Sequence, residues 1–228
     1  MKKGAITLLD VLGWKGIWQR KPDPTGALKE IIKRAQRLRD YAIEEERSQD
    51  KDKENVFKGL ETQVTSISDT IALATYGEID MALQFHSVIS SYILCDSIKN
   101  GLPVRGAICY GDYSFEDNIM VGSAVDEVAS WYEKAEWVGV IYTPSALYYS
   151  NIDKYISKNI VELHNIYIKG HGNFNTYCVK WPTIWNKNNK REDLVNAFTE
   201  LRPITPEIGF KLSNTLEFYD KITQASGQ

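Results

Sequence analysis

The sequence predicts an α+β fold: a mixed, mostly antiparallel sheet with flanking helices. Short β-favouring runs alternate with stretches of helical periodicity, and two pairs of those runs are joined as hairpins. The 228 residues are enough for one sizeable domain with an appendage. Alternation alone would suit a parallel sheet; the hairpins make it mixed.

The elements follow in order. Ala5-Ile-Thr-Leu-Leu-Asp10-Val-Leu-Gly13 is apolar and β-favouring, so 4–12 reads as a strand. It ends in one carboxylate and a turn containing Gly13 and Gly16. Pro22 and Pro24 make 17–25 a loop. Leu28, Ile31, Ile32, Ala35 and Leu38 recur at helical spacing, giving an amphipathic helix over 26–46. The dense charges of 44–54 read as a solvated helix end and loop. Two β-rich runs, 63–67 and 70–75, flank Ser68-Asp69 and form a hairpin with Asp69 at its turn. Residues 78–99 are helical, and Asn100-Gly101 stops that helix.

A strand over 102–110 is next, with Gly111-Asp112 starting a turn and 113–121 extended or irregular. Gly122 opens a helix that reaches Ala135. A short strand, 139–142, leads to a helix with Thr143 as N-cap and Pro144 in its first turn. Strands 160–168 and 174–180 are joined by Lys169-Gly-His-Gly172. Pro182 closes this part; 183–190 is polar and reads as a linker, followed by helices over 191–201 and 206–225. The division is a domain over 1–182 and a C-terminal helical extension over 183–228.

Composition excludes several classes. With 27 basic and 30 acidic side chains the net charge is −3, which argues against a nucleic-acid-binding face. Cys95, Cys109 and Cys178 are too few and scattered for a disulfide framework or a zinc site, and His86, His164 and His171 have no metal-ligand spacing. No apolar run is long enough to span a membrane, and no signal peptide is present, so a cytoplasmic protein is expected.

Asp10 and Asp69 are the residues with chemistry in them. An acid at the end of a buried strand is costly unless something pairs with it. If the first strand lies between the hairpin strands, the two acids come side by side and raise each other's pKa unless a cation intervenes. Paired carboxylates with few other ligands suit Mg²⁺ or Mn²⁺, which leave coordination sites for phosphate and water. The alternative is that Asp10 caps the Gly13 turn and Asp69 is an ordinary turn residue.

The order of segments resembles a class III nucleotidyl cyclase domain, which has a ferredoxin-like core. The likeness covers about residues 4–181. Leu9-Asp10-Val-Leu-Gly13 matches the family's first strand, acid and glycine turn. Ser68-Asp69 matches its second metal acid, which usually follows a glycine. Leu102-Pro-Val-Arg105-Gly-Ala-Ile-Cys-Tyr-Gly111 resembles "lxvRxxixxG". Gly122-Ser-Ala-Val-Asp126-Glu-Val-Ala-Ser130 resembles "GxxVNxAxR", and Ile168-Lys169-Gly-His-Gly172 resembles the late hairpin.

The resemblance implies two divalent metals on Asp10 and Asp69, with the backbone carbonyl of Val11 as a further ligand. It implies a nucleoside triphosphate whose 3′-hydroxyl attacks its own α-phosphate, and a homodimer with active sites at the subunit interface. The acids of one subunit would then face the Lys169 or Asp126 region of the other, with Lys169 rather than His171 near the polyphosphate. Three departures matter. The family's ribose-contacting Asn is Asp126, its transition-state Arg is Ser130, and the two base-reading positions are Thr65 and Ile119. Arg105 could substitute for the missing Arg or serve a structural role.

Neither purine code is present, and Asp10-Val-Leu-Gly-Trp-Lys15 is similar to the start of the pyrimidine cyclases of bacterial Pycsar anti-phage systems. This branch implies cUMP ahead of cCMP, as a second messenger for a separate effector. The other expectations left open are an adenylyl or guanylyl cyclase with an atypical base code, and an inactive cyclase-like regulator.

Overall fold

The first strand, β1 (Lys2–Val11), is the one on which the sheet is built in the computed structural model, which describes residues 1–19, 21–44, 57, 60–117, 119–199, 201 and 203–225. The charged run over 45–56 lies outside the described residues. On one side β1 pairs antiparallel with β3 (Thr70–Tyr76), which forms a hairpin with β2 (Glu61–Ile67). On the other side it pairs antiparallel with β4 (Val104–Glu116). β6 (Gly139–Tyr142) joins β4 in parallel. The hairpin of β7 (Val161–Ile168) and β8 (Gly172–Val179) completes the order β2-β3-β1-β4-β6-β8-β7. β5 (Ile119–Val121) pairs with the far end of β4. The sheet is mixed and mostly antiparallel, as the sequence predicts. The first strand, however, lies beside the hairpin, next to β3, and not between its strands.

Cross-strand partners share a face, and alternate residues along a strand face opposite ways. The Thr7 hydroxyl bonds His86 on α2 (Ile79–Lys99), so that face of β1 meets α2. Ile6 opposes Cys109, whose thiol donates to the Ala124 carbonyl on α3 (Ser123–Trp131) at 3.0 Å. Ile6, Leu8 and Asp10 therefore face the α3 side. α2 is buried along most of its length because α1 (Pro24–Glu44), α6 (Pro182–Trp185) and α7 (Arg191–Thr199) cover it from outside. The short helices α4 (Pro144–Tyr149) and α5 (Ile152–Ser157) lie between β6 and β7.

Three local readings change. β4 runs straight through Gly111-Asp112 because Gly4 and Lys3 of β1 continue to pair with them, so the expected turn is strand and the irregular stretch is the β4–β5 hairpin. α3 stops at Trp131, short of Ala135. Residues 183–190 are not open chain: α6 forms, and the buried Trp185 donates from its indole nitrogen to the Lys190 carbonyl at 3.0 Å. The last helix is α8 (Pro206–Ala225). Thr143 sits at the N-cap of α4, though without a side-chain cap bond.

Candidate functional site

Two backbone contacts bring the acids together. Asp10, at the end of β1, opposes Thr70, the first residue of β3. The next amide, Val11 N–H, donates to the Asp69 carbonyl at 3.2 Å. Ser68 takes a positive φ of 58°, which turns the chain tightly enough to leave Asp69 at the end of β1. Burial raises the Asp10 carboxyl above its ordinary range; the charge and hydrogen bond of Arg105 oppose this, and the charges of Asp69 and Glu133 add to it.

Arg105 is the direct partner of Asp10. Its Nε donates to Asp10 Oδ2 at 3.1 Å, and one terminal nitrogen donates to Glu136 Oε1 and to the Ala135 carbonyl, both at 3.2 Å. The other oxygen of Glu136 meets Lys211 Nζ of α8 at 2.7 Å. α8 is held to the same segment by Asn214 Nδ2, which donates to the Glu136 carbonyl at 2.8 Å, and by Thr215 Oγ1, which accepts from Val138 N–H at 2.8 Å. Arg105 is thus bound to its own chain beside Asp10.

A cavity of 350 Å³ opens next to Asp10. Gly13, Lys15 and Arg105 line its sheet side, and Phe198, Ile208 and Lys211 line the other. Gly13 and Gly16 both have positive φ, so the turn after β1 needs glycine at these positions.

The donor set fits a hard divalent cation. Two carboxylates and a strand-end carbonyl are all-oxygen donors, and a cation would offset the burial that, chiefly, raises the Asp10 carboxyl. Among the described residues no three His, Cys, Asp or Glu side chains cluster as a metal site, so water and phosphate oxygens would complete the coordination.

The other expected residues lie elsewhere. Asp126 and Ser130 are exposed on α3, where the Ser130 hydroxyl donates to the Asp126 carbonyl at 2.8 Å. Lys169 and His171 are exposed in the β7–β8 turn; the Lys169 amide donates to the Lys134 carbonyl at 2.8 Å, next to Ala135. Thr65 is half-buried on β2, and Ile119 is 65% exposed on β5, a strand that does not pair with β2. Sequence reasoning missed Glu136 and Lys211. Glu136 carried a signal, an acid within the apolar run Ala135-Glu136-Trp-Val138, whereas Lys211 carried none.

No protein-family profile matches the chain, and no curated protein is similar to it in sequence. Among solved structures, adenylate cyclases from Trypanosoma brucei in their monomeric state align over 79% of this chain and 90% of theirs, at 13% identity and a TM-score of 0.53. The catalytic core of a rhodopsin-guanylyl cyclase with converted specificity, in complex with ATPalphaS, aligns over 78% of this chain and 94% of that one, at 13% identity and a TM-score of 0.48. The adenylate cyclase likeness establishes the fold: an α+β class III nucleotidyl cyclase fold, with a mixed sheet and flanking helices.

Proposed function

We propose that this protein is a nucleotidyl cyclase that converts a nucleoside triphosphate to the 3′,5′-cyclic mononucleotide and pyrophosphate. The observation that carries the reading is the register that sets Asp10 against Thr70 and the Val11 amide against the Asp69 carbonyl, on the fold of a cyclase. Two Mg²⁺ or Mn²⁺ ions held by Asp10, Asp69 and the Val11 carbonyl would activate the 3′-hydroxyl and neutralise phosphate charge. The protein's own part is positioning. The 3′-oxygen forms a bond to the α-phosphorus, the bond to the β-phosphate oxygen breaks, and pyrophosphate leaves with the proton released to solvent. The Gly13 turn leaves room for the triphosphate, and Arg105 favours the ionised form of Asp10.

The remaining site residues reach the substrate in a homodimer. Asp126, Lys169 and His171 are exposed in the single chain, and Ile119 and Val121 expose apolar surface on the β4–β5 hairpin. A second copy would bring Lys169 to the polyphosphate and Asp126 to the ribose. The base would be a pyrimidine, uracil ahead of cytosine, because Thr65 and Ile119 replace both purine codes: a hydroxyl donates or accepts one bond and an isoleucine only fills space. The product would act as a second messenger in anti-phage defence, through a separate effector in the cytoplasm.

A second reading, an inactive nucleotide-binding regulator, is favoured by one observation: Ser130 has no guanidinium to offer a transition state. One assay decides among these. Purified protein is incubated with each of the four ribonucleoside triphosphates and Mn²⁺, and the products are identified by mass spectrometry. cUMP as the main product is expected. No cyclic product from any triphosphate overturns the enzyme reading, and dominant cAMP or cGMP overturns the pyrimidine reading.

A further inference from the structure

Asp10, Arg105, Glu136 and Lys211 form one unbroken row of alternating charge, from the end of β1 to the C-terminal helix α8. All four side chains are between 10% and 17% exposed, so solvent screens their contacts only weakly. We infer that Glu136 and Lys211 are positioning residues through which α8 sets how firmly Asp10 holds a divalent cation. The inference rests on the proposed metal site at Asp10 and Asp69.

The row is a chain of competitions. A cation at Asp10 competes with Arg105 for one carboxylate. Glu136 competes with Asp10 for Arg105, since a single guanidinium spans both. Lys211 competes with Arg105 for Glu136, since each takes one of its oxygens. Weakening one link strengthens the next and weakens the one after. Without the Lys211 charge, Glu136 draws Arg105 harder, Arg105 loosens from Asp10, and Asp10 is freer for the cation. Without the Glu136 charge, Arg105 settles on Asp10 and the cation is held less tightly. The two substitutions therefore act in opposite directions, although both remove one half of the same ion pair. Loss of packing or of α8 docking would lower affinity in both.

α8 is well placed to transmit such an effect. Asn214 and Thr215 tie it to the Glu136 and Val138 backbone, so displacement of the helix moves Lys211 relative to Glu136. The row also accounts for a costly arrangement, a buried acid (Glu136) in the apolar run ahead of β6.

The test measures Mn²⁺ binding by electron paramagnetic resonance, without turnover, on wild type, Lys211→Met, Glu136→Gln and Asp69→Ala, with thermal melts to confirm folding. Lys211→Met is expected to tighten Mn²⁺ by about fivefold and Glu136→Gln to weaken it by a similar factor. The Lys211→Met effect is expected to vanish in an Arg105→Gln background, because relief of direct repulsion between the Lys211 ammonium and Mn²⁺ would survive there and a relay through Arg105 would not. Weaker binding in both single variants, no change in either, or a Lys211→Met effect that persists without Arg105, overturns the inference. If Lys211→Met alone folds, its sign and its dependence on Arg105 still decide. Absence of Mn²⁺ binding that depends on Asp69 overturns the metal site itself, and the inference with it.

Discussion

His86 lies fully buried between two threonines of neighbouring strands, with Nδ1 2.6 Å from Thr7 Oγ1 and Nε2 2.7 Å from Thr75 Oγ1. Burial lowers its pKa from 6.5 to about 3, so the ring is neutral in the folded protein. Below pH 6.5 the unfolded chain takes up a proton that the folded chain refuses. Stability is therefore present above pH 6.5 and is lost as pH falls towards about 3, by about 1.4 kcal/mol per pH unit for this one proton. Burial lowers the pKa of His164 too, which acts in the same sense. Urea unfolding at a series of pH values is expected to show this loss, and His86→Gln to flatten it. At this scale Asp10 and Asp69 were legible, because each carries a local mark: an acid ending an apolar strand, and an acid in a two-residue turn. The partner of Asp10 was not. Nothing local in the sequence marks Arg105 as that partner; the contact comes from the β1–β4 register, with Asp10 opposite Arg105.

The β2–β3 turn is the element that places the second acid. Ser68 holds a φ of 58°, in the left-handed region that glycine adopts without steric cost. Ser68→Gly is expected to stabilise the protein by about 1 kcal/mol, a rise in Tm of about 2–4 °C in thermal denaturation, without moving Asp69. Ser68→Val is expected to lower Tm. Hairpins of this kind were readable because turn length and strand alternation are both local. β4 was misread for the opposite reason. Gly111-Asp112 has turn composition, yet β1 supplies a partner for each residue, and tertiary pairing overrides local preference. Trp185 anchors the chain where polar composition alone suggests a linker.

Across the whole molecule, the sheet order could not be read from the sequence, because it depends on pairings far apart in the chain. The acids meet even though β1 lies outside the hairpin, since β3 begins opposite Asp10. The C-terminal helices had an evident periodicity but no stated destination. α8 turns Phe218 edge-on to Trp137, with ring centroids 5.0 Å apart, and also against His164. Phe218→Ala is expected to cost about 3–5 kcal/mol, read from urea unfolding, because it empties a fully buried position. The same variant should weaken whatever depends on the docking of α8. The proposed cyclase activity stands or falls with Asp10 and Asp69 as its reacting centre. Its most direct test is the rate of cyclic nucleotide formation from UTP and Mn²⁺ by wild type and Asp69→Ala, with thermal melts of both. A product-forming wild type is expected, with a variant that melts as the wild type does but forms no cyclic product. A folded Asp69→Ala variant that turns over at the wild-type rate would contradict it.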